Sequence, residues 1–402
     1  MGRIGLVKGA FGNRIFWKKG QLAMNMNLNG LSRIMMMRTG MLVMGMLLVT
    51  GGVDGQVSGT GQATDLGSVS TEDLIGRLQD ESSEGIGTES MAWASGFMAI
   101  DDKPQFRGGI LGSAKPAVSP VMRELVRRGT GALPSLIEHL SDSRPTKLTV
   151  GKGFIGKWFG KEYDPKVRVP GAHPGLRLPH EDSFDSYTVK TGDLCFVAVG
   201  QIVNRQLNAV RYQPSLCLVV NSPVETPWLA AAVKADWSGL TPADHERSLE
   251  QDAVSTSNPY LPGEALKRLM FYYPDAGTAL AAQLLDRPFT NPRTDFSAAH
   301  RLIDALSCFP STAIDQAVYS VLSRAAESHP DNINDKYERC ELVYACAKRL
   351  TKPDERESLT QTYQEMMKSR FPHGEAGLKA IAAVDLQFDK FLKGLLAKLV
   401  VT

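Results

Sequence analysis

The 402-residue sequence has no acidic residue before Asp54, no C-x-x-C pair, and no Walker, G-x-S-x-G or H-E-x-x-H signature. These absences remove the sequence-recognisable forms of phosphate-loop, serine-hydrolase, zinc-protease and dithiol chemistry. His245-Glu246 is followed by Arg247, Ser248 and Leu249, so it opens no zinc helix. Aromatics make up only 7% and charged residues 22%, whereas apolar residues reach 43%. A chain of that make-up can bury a sizeable core and is neither wholly disordered nor fibrous.

The formal net charge of +2 conceals an asymmetry. Residues 1–53 carry Arg3, Lys8, Arg14, Lys18, Lys19, Arg33 and Arg38 and no acid. Without those seven, 38 basic residues face 43 acidic ones, a balance of −5. A mildly acidic body gives no case for nucleic acid. Arg38 precedes the apolar run Met41 to Thr50, and small residues follow at Gly51, Gly52 and Gly55. That order is the pattern of a secretory signal. The run falls short of the about 20 residues that span a bilayer. The expectation is an exported chain with a leader over 1–53; membrane anchoring by an uncleaved signal is the rival.

Five cysteines, at 195, 217, 308, 340 and 346, leave at least one thiol without a disulfide partner in the chain. Cys340 and Cys346 are six apart on a predicted helix, about 240° around its axis, and cannot bridge each other. Cys195 could reach Cys217, but small buried apolar roles are the favoured reading.

Residues 54–70 are rich in Gly and Ser and read as a flexible linker. Thr71 is placed to cap a short helix. From Ser119 the pattern sharpens. Ser119-Pro120 sets a cap before a first-turn proline, and Met122, Leu125 and Val126 form one apolar face. Gly129 and Gly131 end that helix. Leu133, Leu136, Ile137 and Leu140 then recur at i, i+3, i+4 and i+7. This pair, with Gly in the turn, Ala132-Leu133-Pro134 opening the second helix and Asp142 and Arg144 beyond it, resembles a HEAT-type repeat. Residues 188–203, an Asp followed by an apolar helix, resemble such a repeat more weakly. The resemblance implies helical hairpins stacked into a solenoid.

Independently, apolar faces continue through Leu194 to Ile202, Leu229 to Trp237, Leu266 to Tyr273, Ile314 to Ala325, Tyr337 to Leu350 and Leu378 to Leu399. Ser222-Pro223-Val224-Glu225 has the form of a capping box. Only residues 147–150 and 216–220 suggest strand. The expected fold is all-α, an α-solenoid or irregular helical-hairpin stack of the HEAT/armadillo kind over residues 71–402, with one long irregular loop insertion over 144–187.

Within the mildly acidic body, that insertion holds a local basic excess. From Arg144 to Arg177 eight basic residues face only Glu162 and Asp164, and Phe154, Trp158, Phe159 and Tyr163 lie among them. Charge beside aromatic surface suits an acidic polymer or an anionic surface. Lys152, Lys157, Trp158 and Lys161 are the candidate binding residues. The competing reading is a loop whose aromatics pack back on the body. Gly151-x-Gly153-x-x-Gly156 lacks a following helix start and a downstream acid, so it reads as a glycine-rich loop. His173, His180, Glu181, Asp182 and Asp185 fit no compact metal-ligand spacing. The sequence thus points to an exported helical-repeat binding or scaffold module whose partner is an unknown protein, acidic polymer or anionic surface, with no cofactor or metal implied. The alternative is a hydrolase or lyase on a helical scaffold, with Asp101, Asp102, His173, His180 and Asp185 as its groups.

Overall fold

The computed structural model of the chain describes residues 65–82, 88–89, 96–101, 119–151, 156–167, 184–212, 217–255, 261–328 and 333–352, with short pieces at 355–357, 360–361 and 393–394. The expected leader, the linker through residue 64, Lys152, and the apolar stripe from Leu378 to Leu399 lie outside these residues.

Proline starts many of the helices. Pro120, Pro227, Pro242, Pro274 and Pro292 are each the first residue of an α-helix. There the missing N–H costs nothing, because first-turn donors have no partner inside the helix. The first helix, α1 (Thr71–Arg77), is capped by Ser70, whose Oγ accepts from the Asp73 N–H at 3.0 Å, one residue before the expected cap. Just upstream, Leu66–Ser68 form a 3-10 turn, and Arg128 donates to the carbonyls of Leu66 and Val69. Residues 65–70, linker-like in composition, are therefore docked on the body.

Helices α2 (Pro120–Arg127) and α3 (Leu133–Glu138) form as their patterns predict, with Ser119 Oγ accepting from Met122 N–H at 3.1 Å. Between them Gly129 sits at φ 56°. A Cβ there would lie 2.8 Å from the Tyr272 ring, so the turn needs glycine for both its backbone and its space. Both helices pack on α4 (Thr191–Val203), every residue of which is buried. That burial explains why α4 is apolar nearly all round.

The segment 144–187 is not one unbroken irregular loop. It contains β2 (Pro145–Val150), β3 (Lys157–Phe159) and the start of β4 (Tyr187–Lys190). Exposed and buried residues alternate along β2, the mark of a half-buried strand, and it pairs antiparallel with β4. A mixed four-stranded sheet has the order β1 (Thr88–Glu89), β5 (Val210–Tyr212), β6 (Leu218–Val220), β3. β5 and β6 are antiparallel, the outer pairs parallel, and β3 is an edge strand. The two runs expected as strands are β2 and β6.

The capping box expected at Ser222 starts no helix at that point. Ser222 Oγ does accept from Glu225 N–H at 3.1 Å, but Glu225 reaches Lys190 and helix α5 begins only at Pro227. Thr226 precedes that proline and is held out of helical geometry at φ −125° and ψ 81°.

Beyond α5 (Pro227–Trp237) the described chain is helical: α6 (Pro242–Ala253), α7 (Leu261–Tyr272), α8 (Pro274–Leu285), α9 (Pro292–Ala305), α10 (Thr312–Glu327) and α11 (Ile333–Leu350). Helix α7 packs on α9 and α9 on α11, while α8 packs on α10. Their apolar faces make one core, from Leu249 to Ala347. A second core, from Leu74 to Trp237, is built by α1–α5 with the strands. Tyr272 packs against both cores, its hydroxyl donating to the Val126 carbonyl. The protein is mostly helical, all-α in class, and among the described residues the strands lie with the first core. Cys195 and Cys346 are fully buried in these cores, and burial pushes both thiols up. No helix of the described residues is long and apolar enough to cross a membrane.

Candidate binding surface

Of the four candidate binding residues, Lys157, Trp158 and Lys161 are described. Lys157 and Trp158 are half-buried in edge strand β3, opposite Leu218 and Val219 of β6, and Lys161 is exposed just beyond it. Neither lysine forms an ion pair with a carboxylate among the described residues. Trp158 lies with Cys217 Sγ against Gly156. A strand, not a helix, follows Gly156, so no helix N-terminus stands behind the glycines to cradle a phosphate.

The other aromatics of the segment staple it to the body. Phe159 meets Phe184 at 5.0 Å and Tyr187 edge-on at 5.5 Å between ring centroids. The Tyr163 hydroxyl donates to Asp236 Oδ2 at 2.8 Å and to the Ala232 carbonyl at 3.2 Å, and its ring stands edge-on to Trp228 at 6.4 Å. Trp228, Ala232 and Asp236 recur every four residues on α5, so residues 161–167 form a strap along one stripe of that helix.

Arg205 ties down the end of the strap. Its guanidinium donates to the Pro165 carbonyl at 3.0 Å and the Lys166 carbonyl at 2.8 Å. The same group is ion-paired with Asp252 and lies 5.2 Å from the Trp237 ring centroid. Asn204 Nδ2 also donates to Asp252 at 2.9 Å. Asn204, at φ 56°, ends α4 in the left-handed geometry that asparagine tolerates, and this turns Arg205 inward. Lys166 itself stands 5.4 Å from the Trp237 ring.

The strap's acids face the body. Glu162 pairs with Arg211, and its backbone N–H donates to Asn221 Oδ1 at 3.0 Å. Asp164 Oδ2 accepts from Gln206 N–H at 3.0 Å. Arg144 and Lys147, at the start of the basic segment, are paired with Asp142 and Asp80.

Two further polar clusters sit between the elements. Asp193, fully buried at the start of α4, accepts from Tyr187 Oη at 2.6 Å, Ser222 Oγ at 2.5 Å and Lys190 N–H at 2.9 Å. Burial outweighs these donors and raises its carboxyl to about 6. In the second cluster His245 has Nδ1 3.0 Å from Tyr273 Oη and Nε2 3.0 Å from the Ile202 carbonyl. Burial lowers its imidazole to about 4. Both clusters spend their polar atoms on internal partners.

Of the residues weighed for hydrolysis or lysis, Asp101 and Asp185 are described; Asp102, His173 and His180 lie outside. Asp101 accepts from Phe97 N–H and stands 3.9 Å from Lys267 Nζ, with burial pushing its carboxyl up. Asp185 is exposed, its carbonyl near Gly151. No group of three or more His, Cys, Asp or Glu among the described residues is placed to hold a metal ion.

The Arg205–Asp252–Trp237 cluster escapes a motif search because its members stand 47 and 32 positions from Arg205. The available signal is an Asn-Arg pair directly after a helix that is apolar nearly all round. No protein-family model, curated protein or solved structure matches the chain.

Proposed function

We propose that the chain is a helical-repeat scaffold of the HEAT type that binds an anionic partner through the surface around β3 and the strap. The alternate packing of α7, α9 and α11 in one layer and α8 and α10 in another supports the solenoid part of this reading, since stacked hairpins bury their faces on one another in that order. The resemblance of residues 119–145 to such a repeat supports it as well. The observation that carries the binding role is the sorting of charge. Glu162 and Asp164 are turned to Arg211 and the Gln206 backbone, while exposed Lys161 and half-buried Lys157 have no carboxylate partner among the described residues. Export rests on the leader's charge and apolar run alone.

The test is binding of the chain to a soluble acidic polymer across a salt series. Lys161→Glu should weaken it at low salt and leave the melting temperature nearly unchanged, because exposed charges contribute little to stability. Added salt should mimic the substitution, as the Debye length falls from about 10 Å at 0.1 M to about 3 Å at 1 M. Equal binding by wild type and variant overturns the reading.

A further inference from the structure

Among the described residues, the large hydrophobic side chains that stand exposed are Val167 at 78%, Trp228 at 44% and Val254 at 45%. Two of these, Val167 and Trp228, belong to the same strap-and-helix unit. Tyr163 touches Trp228, and Asp236 Oδ2 accepts from both the Tyr163 hydroxyl and the Lys166 N–H, one residue before Val167. Lys161 and Lys166 of the same strap are exposed as well. The nearby acids are occupied: Glu162 by Arg211, Asp164 by the Gln206 N–H, Glu225 by Lys190, Asp236 by the strap itself, and Asp244, within reach of Lys166, by Arg247. Val254 follows a helix that carries Glu246 and Glu250 and does not share this basic setting.

We infer that Lys161, Lys166, Val167 and Trp228 form a contact for the surface of an anionic lipid bilayer. This narrows the reading above, on which it partly rests, from anionic partners in general to a membrane. Exposed apolar area makes the choice. Val167, exposed to 78%, and Trp228, exposed to 44%, leave apolar surface in water beside lysines, and the boundary between headgroups and acyl chains takes up both kinds of group. Chemistry agrees, since an indole is at home at the headgroup level and lysines beside it meet the negative leaflet. The strap is held for the task by Arg205 on the carbonyls of Pro165 and Lys166, so little ordering cost is left for binding.

The full chain is mixed with phosphatidylcholine vesicles, with phosphatidylcholine–phosphatidylglycerol vesicles, and with a soluble acidic polymer. Brominated lipid should quench part of the tryptophan fluorescence on the anionic vesicles, and Trp228→Phe should remove that part. The chain holds five tryptophans, so the part of the quenching that Trp228→Phe removes is what reports this contact. Val167→Ser, which removes the apolar side chain without changing the charge, should abolish the quenching and leave the melting curve unchanged. Lys161→Gln should weaken vesicle binding about fivefold, the usual weight of one basic residue near a charged surface. Quenching that is absent, or that persists in Trp228→Phe, overturns the inference. Polymer binding with unquenched Trp228 leaves the broader anionic reading standing and removes the membrane; loss of both removes both.

Discussion

The guanidinium of Arg205 lies 5.2 Å from the ring centroid of Trp237 while the same group is ion-paired with buried Asp252. One side chain thereby joins the end of α4, the strap, α5 and α6. Removing one partner of a buried ion pair leaves the other charged and without its counter-ion, which costs about 3–5 kcal/mol. Arg205→Met should destabilise by that amount in chemical denaturation. Adding Asp252→Leu should recover part of the loss, because an apolar replacement of both partners carries no stranded charge. A double variant less stable than the sum of the two single ones would contradict this account.

Gly129 and Gly131 stand two residues apart in one turn and make different demands. Gly129 has φ 56° and no room for a Cβ against Tyr272, whereas a Cβ on Gly131 meets nothing within 4 Å. Gly129→Ala should cost about 1–3 kcal/mol from the strained backbone, before any shift of the ring. Gly131→Ala should be close to neutral or slightly stabilising. Thermal melts of the two variants side by side read the difference.

His245 and Asp193 pull the pH dependence of stability in opposite directions. The folded imidazole of His245 is lowered from 6.5 to about 4 by burial. Its contribution is therefore full above pH 6.5 and is lost as pH falls toward 4, on the order of 3 kcal/mol. The folded carboxyl of Asp193 is raised from 3.8 to about 6. Its contribution is full below pH 3.8 and is lost as pH rises through 6. Between pH 4 and 6 the two oppose each other. Set beside wild type, His245→Gln should lose stability more steeply as pH rises across that window. Asp193→Asn should gain it more steeply. Denaturation midpoints measured from pH 4 to pH 7 separate the two slopes, and parallel profiles for all three proteins would refute the assignment.

Where a helix faces an apolar core, its pattern is legible in the residues: Leu133, Leu136 and Ile137, or Ile314, Val318 and Val321, lie buried where their spacing puts them. Helix α6 offers no such signal. Its buried face is His245, Ser248, Leu249, Asp252 and Ala253: Leu249 and Ala253 join the apolar core beside α7, while His245 and Asp252 meet the end of α4, so the stripe is half polar. Strand β3 is hidden for another reason. Three residues are too few for a period to show, and Lys157 owes its place in the sheet to Leu218, about 60 positions away. The candidate surface is half legible. Its charge excess and its aromatics can be read directly, but which aromatics staple the segment depends on partners at Tyr187, Trp228 and Asp236.

Leu136 is fully buried on α3. Leu136→Ala should cost about 2–5 kcal/mol, the range for a core leucine that leaves a cavity. Melts indistinguishable from wild type would show that α3 does not depend on that face.

Phe159 and Lys161, two residues apart on the strap's approach, separate a staple from a contact. Phe159 meets Phe184 and Tyr187 and packs on the first core, so Phe159→Ala removes two ring contacts together with buried area. Edge-on ring pairs add about 0.5–1.5 kcal/mol beyond area burial, and a half-buried ring gives up only part of the full core cost. The expected loss is about 1–3 kcal/mol. Lys161 is exposed and makes no ion pair among the described residues, so Lys161→Glu should move stability by no more than about 0.5 kcal/mol. Binding to an acidic polymer should respond in the reverse order. Lys161→Glu should weaken it at low salt, and Phe159→Ala should weaken it only near its own unfolding transition. If Phe159→Ala abolished binding while the melt stayed unchanged, the ring would belong to the ligand's surface and not to the core.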